Sequence, residues 1–158
     1  MEGAKKEFMK NIETAIEGSE KLISIFGRWP SFHDAEIIEL QLWRGDVNPD
    51  KEPVLTLKMH CFEITKEVNA EGYFVRRNHT LSTFKFHNVD DLKMQGFNHQ
   101  NAIFGLSIDR LERSQAPSPY FTVELEPAYG IEASFTCLRV EVSEAIPCGS
   151  DGNVVQQG

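Results

Sequence analysis

Basic side chains are scarce: 16 Lys and Arg stand against 24 Asp and Glu, leaving a net charge of −8 over 158 residues. Nucleic acid is held largely by Lys and Arg neutralising phosphates, so no nucleic-acid partner is expected of so acidic a chain. Cysteine is sparse too. Cys61, Cys137 and Cys148 form an odd set without CxxC spacing, which signals neither a disulfide framework nor a zinc knuckle and predicts reduced thiols in a cytosol. No apolar run approaches the roughly 20 residues that span a bilayer, and the N-terminal MEGAKKEFMKNIETAIEG lacks the apolar centre of a signal peptide. A cytoplasmic location without a membrane partner follows as the expectation. Asn78-His79-Thr80 fits a glycosylation sequon, which has no meaning without a secretory route. No P-loop, GxGxxG, GxSxG, HExxH or HxxxH occurs, so no cofactor is expected.

What is present is core-forming material. Hydrophobic residues make up 41% and eleven are phenylalanine, enough for one domain over residues 1–146. Phe8, Ile12, Ala15, Ile16, Ser19, Leu22, Ile23 and Phe26 recur every three or four positions. That stripe predicts an amphipathic helix, bent or split at Gly18-Ser19, with Ser19 as a cap and Gly27 as the stop. From Ala35 the period becomes two. Ile38, Leu40 and Leu42 predict one strand face, Leu55, Leu57, Met59 and Cys61 a second, with a hairpin turn at residues 44–50. Further strands are expected at 79–87, with Phe84 and Phe86 inward, at 92–97, and at 102–111, with Ala102, Phe104, Leu106 and Ile108 sharing a face. Phe121, Val123 and Leu125 are expected to pair with Ile131, Ala133, Phe135 and Cys137 across the turn at 127–130. After Cys137 the apolar parity shifts to Leu138, Val140 and Val142, which suggests a bulge or a stretch buried on both sides, with the bulge favoured. The segment 147–158, rich in turn formers, is expected to be a disordered tail. Together these predict an α+β domain: an N-terminal helix, or two short ones, packed on a curved, mainly antiparallel meander sheet of six to eight strands.

His33, Asp34 and Glu36 fall within four positions. With His99 they are the candidates for a metal-dependent hydrolase or ligand-binding site, but no second HD pair accompanies them. The structural alternative is a tight corner, in which the Asp34 carboxylate accepts backbone N–H groups and the His33 ring anchors the turn; the residue pattern favours this reading. Gly96-Phe97-Asn98-His99-Gln100-Asn101 reads as a polar turn satisfying its own backbone. The acidic excess is localised: residues 111–158 hold seven acids and two bases, −5 of the total −8. With Phe121, Val123 and Leu125 inward, Glu124 and Glu126 face out, joined across the hairpin by Glu132 and further along by Glu141. Such a face is either a solvated surface that keeps a sheet edge from aggregating or a docking surface for a basic partner.

The segments FGRWPSFHDAEIIELQL, LSTFKFHNVDDLKMQGFNHQNAIFGLSI and PYFTVELEPAYGIEASFTCLRVEV resemble the immunity protein 50 family of bacterial polymorphic-toxin systems, most specifically in the WPSFHDAE corner and the GFNHQN turn. The resemblance runs from about residue 22 to residue 142. It implies a small cytoplasmic protein that binds and blocks a cognate toxin domain without catalysis. Glu124, Glu126, Glu132 and Glu141 are then the expected charged contacts.

Overall fold

Glycine sets the N-terminal helical boundaries. The computed structural model describes residues 5–6, 11–46, 52–112 and 120–154; Phe8, residues 47–50 of the expected hairpin turn and residues 155–158 of the expected tail lie outside them. A 3-10 turn, Ile12–Ala15, precedes Gly18 (φ 74°), and helix α1, Glu20–Phe26, stops at Gly27 (φ 76°), whose left-handed backbone lets its N–H bond to the Ile23 carbonyl. The helix is thus split as the spacing predicts. Ser19 occupies the N-cap position, but its hydroxyl makes no capping bond. Leu22 and Phe26 are the buried side of α1, which packs on the last strand.

The strands are β1 (Lys5–Lys6), β2 (Glu36–Trp43), β3 (Val54–Val68), β4 (Phe74–His87), β5 (Asp90–Gln95), β6 (Ile103–Glu112), β7 (Tyr120–Pro127), β8 (Glu132–Cys137) and β9 (Arg139–Pro147). All pair antiparallel, in two open sheets rather than one. The first has the order β1-β6-β7-β8-β5, the second β2-β3-β4-β9. Their inner faces share one core. Leu55, Leu57, Met59, Phe84, Phe86, Val140 and Val142 come from the second sheet, and Ile108, Phe121, Val123, Leu125, Ala133 and Phe135 from the first. Phe86 and Phe135 meet edge to face across the layers, centroids 5.0 Å apart.

Three departures from strict alternation have identifiable causes. A bulge between Ile37 and Glu39 turns Ile37 inward and leaves Ile38 exposed, whereas Leu40 packs against the core as expected and Leu42, opposite Leu55, is exposed toward the end of the strand. A second bulge between Ile103 and Gly105 buries Ile103 and exposes Phe104. The parity change after Cys137 is not a bulge within one strand: Leu138 is an exposed corner, and there the chain leaves the first sheet and enters the second as β9. Residues 148–154, expected to be unstructured, close a small loop in which Cys148 bridges Val154.

Two edges are handled differently. The free side of β9 is covered by a parallel bridge to Glu17, whose N–H donates to the Val140 carbonyl at 3.0 Å and whose carbonyl accepts from Val142 at 2.7 Å. The β3–β4 hairpin instead outruns its neighbours, because β2 reaches only as far as His60 and β9 only as far as Thr80. Residues 62–79 are therefore a two-stranded ribbon beyond the sheet. Its tip is tied by the Asn69 side-chain oxygen, which accepts from Glu71 and Tyr73 N–H at 3.0 Å each.

Candidate functional site

The His33-Asp34-Ala35-Glu36 corner is held by backbone and by packing. Phe32 (φ 59°) and Asp34 (φ 65°) both adopt left-handed geometry, so the turn is tight. Phe32 stays there because its ring is locked edge to face between Trp29 (5.4 Å) and Phe84 (5.6 Å). Asp34 N–H donates to the Ile103 carbonyl at 3.0 Å, Ile103 N–H to the Ala35 carbonyl at 2.9 Å, and Ile37 N–H to the Asn101 carbonyl at 2.9 Å. Glu36 completes the join: its Oε1 accepts from the Asn101 N–H at 2.9 Å. Asn101, buried, accepts the Asn98 N–H at 3.0 Å and donates to the Asn98 carbonyl at 2.7 Å.

The turn 96–101 is braced in its turn by the turn at 127–130. Ala128 and Tyr129 N–H both donate to the Ala102 carbonyl at 3.0 Å. Gly130 (φ 80°) lies so close that a Cβ there would come within 2.3 Å of the Gln100 carbonyl oxygen. All three sequence segments singled out above thus meet at one junction, which fastens β2 of the second sheet to β6 of the first. His33 Nδ1 lies 3.2 Å from Asp34 Oδ2, both side chains partly exposed, and the His33 ring rests edge-on against Phe104 at 4.9 Å. His99 is exposed on the turn. Among the described residues no three His, Cys, Asp or Glu side chains converge as a metal ion would require.

The four glutamates separate into two groups. Glu124, Glu126 and Glu132 are exposed on the outer face of the first sheet and line one depression with Lys93, Gln95 and Ser134. Glu124 stands opposite Ser107 and Ser134, and Glu126 opposite Gly105. Glu132 accepts from the Gln95 amide at 3.0 Å, while the ammonium of Lys93 lies 4.0 Å from Asp91. Glu141 belongs to the second sheet, whose outer face is charge-balanced. It sits opposite Lys85, is hydrogen-bonded to His87 Nε2 at 3.0 Å and lies 3.6 Å from the Arg139 guanidinium. The hydrogen bond from His87 is the main cause that holds its carboxyl below the usual range. Alongside, Glu39 opposes Lys58.

One pairing has no signature in the sequence. His60 Nε2 and His79 Nδ1 lie 2.9 Å apart, beside Phe62 and under the loop 148–154, whose Cys148 N–H donates to the His79 carbonyl at 2.9 Å. Burial lowers the pKa of both rings. For His60 the neighbouring His79 and Arg76 lower it further, while Asp151 and Glu36 pull the other way; for His79, Arg76 adds to burial. Only the strict alternation of β3, which aims His60 away from the core, hints that something covers it. Burial pushes the Cys61 thiol up to about 11 and the Cys137 thiol up to about 12. No helix among the described residues is long and apolar enough to cross a membrane.

The chain matches the family model described as Immunity protein 50 over residues 18–147. No curated protein and no solved structure matches it.

Proposed function

The chain belongs to the immunity protein 50 family, and from that premise we propose that it binds a cognate toxin domain in the cytoplasm and blocks it stoichiometrically, without catalysis or cofactor. The docking surface is the outer face of the first sheet, with Glu124, Glu126 and Glu132 meeting a basic surface of the toxin.

The observation that carries this reading is the charge contrast between the two faces. On the second sheet Lys58, Lys85, His87 and Arg139 accompany Glu39, Glu141 and Glu144. On the first sheet three glutamates share a depression in which Lys93 is the single cation. Such an uncompensated patch accelerates encounter with an oppositely charged partner and repels wrong ones. Glu141, expected from sequence to join that patch, is here assigned to internal pairing instead. The WPSFHDAE corner and the GFNHQN turn are assigned to holding the sheets in register, since Glu36 is engaged by the Asn101 amide.

The test is capture of the partner with the tagged full chain, followed by growth assays. A toxin-bearing polypeptide is expected at near 1:1 stoichiometry, released at high salt, whose toxin domain no longer arrests growth when the chain is co-expressed. Toxicity that is the same with and without the chain would refute the proposal.

A further inference from the structure

The β3–β4 ribbon carries exposed apolar side chains that the fold does not use. Ile64 is 41% exposed, Val68 59%, Tyr73 69% and Phe74 60%. Phe74 and Arg76 alternate onto one face of β4, and their cross-strand partners Val68 and Ile64, on either side of an irregularity in β3, share it. The other face holds Glu63, paired with Arg77 at 3.2 Å and bonded to Asn78 at 3.0 Å. A two-stranded ribbon is marginal in water by itself, and a contiguous exposed apolar strip signals a contact surface. Beside the aliphatics it carries an aromatic and an arginine, two of the residue types enriched at interfaces.

We propose that this face is a second contact with the toxin domain, inserting Phe74 and Val68 into an apolar cleft with a carboxylate at its mouth that receives Arg76. The inference rests on the immunity reading above. Charge decides the occupant. Arg76 packs its guanidinium over the Phe62 ring at 4.5 Å, and neither Ile64, Val68 nor Phe74 offers it an anion. A two-fold contact with a second copy would turn the same patch on itself, cation included, and supply no carboxylate from it. A partner bearing an acidic group beside an apolar surface satisfies both features, and Arg is the residue suited to bidentate carboxylate binding. The toxin would then carry basic groups toward the first sheet and an acidic, apolar recess toward the ribbon.

The experiment uses the toxin domain captured above, titrated with the full chain and two variants, Val68→Ser/Phe74→Ser and Arg76→Glu. Both sites are exposed, so unchanged circular dichroism and melting certify the fold. The serine pair is expected to weaken binding roughly 30-fold or more and Arg76→Glu at least about 10-fold, mainly through faster dissociation. Wild-type affinity in both variants, with binding still lost on charge reversal at Glu124 and Glu126, overturns the ribbon contact and leaves the immunity reading standing. Sedimentation of the free chain gives the other refutation: a dimer that Phe74→Ser dissolves would make the occupant a second copy. Absence of any neutralised toxin would end both proposals together.

Discussion

Between His60 and His79 one ring must donate and the other accept, which neutral imidazoles do and two imidazolium rings cannot. Both pKa values lie below the ordinary 6.5, so the native state favours the neutral rings. Stability contributed by the pair is full above 6.5 and is lost as the pH falls below 6.5 toward the folded-state values. The carboxyls of Glu63, Glu141 and Asp151, held low by their hydrogen bonds, act in a lower window: their contribution persists until the pH drops below their ordinary 4.5 and 3.8. Urea unfolding between pH 7.5 and 5.5 is therefore expected to show declining stability in the wild-type chain and a flatter profile in His60→Gln/His79→Gln. An equal slope in both would remove the pair from the account. At the corner, His33→Ala is expected to cost under about 1 kcal/mol, because a polar contact this exposed contributes little.

The junction of turns at 34–37, 96–103 and 127–130 carries more. Asn101→Ala strands the Asn98 N–H, a loss expected to cost roughly 1–3 kcal/mol by chemical denaturation. Gly130→Ala combines a left-handed backbone with a clash on backbone atoms, and a cost of about 2 kcal/mol or more is expected. If Gly130→Ala melted with the wild type, the close approach at Gln100 would be relieved at no cost and the bracing role would fall. The sequence made these segments conspicuous without revealing why. Their chemistry suits ligands and turns alike, and only the spatial meeting of three distant stretches shows which use is made of them. Strands with a strict period, Leu55 to Cys61 and Phe121 to Leu125, were legible because each inner residue meets the core directly. The entrances of β2 and β6 were not, since one inserted residue shifts the parity there and buries Ile37 and Ile103 without a mark in composition, while Leu40, Leu106 and Ile108 beyond the bulges keep the expected face. Nor did the parity shift at Leu138 distinguish a bulge from a passage between layers. The length of the ribbon escaped for a related reason: Val68 and Phe74 look like core strand residues until the neighbouring strands are seen to end early.

On the outer face of the first sheet Glu124, Glu126 and Glu132 share a depression with one cation, Lys93. Charge reversal, Glu124→Lys/Glu126→Lys, is expected to slow association with the toxin domain by about tenfold and to weaken its dependence on salt. Glu141→Gln is expected to leave the association rate unchanged, because that carboxylate is already matched by His87, Lys85 and Arg139. Stopped-flow measurement at two ionic strengths separates the cases; equal rates for wild type and the double reversal would place the docking surface elsewhere. The chain also builds its two layers out of order. After the two-residue β1, three strands of the second sheet come first, the first sheet's β5 to β8 follow, and β9 then returns to pair with β4 and to receive Glu17 on its far side. During synthesis the backbone of β4 therefore waits, unsatisfied along one side, until residues 139–147 have been made. The nascent chain passes through a stage with Phe84 and Phe86 lacking the valines that cover them. Apolar surface left open in this way is what makes partly folded chains prone to aggregate, and it is closed only when the last strand joins the sheet.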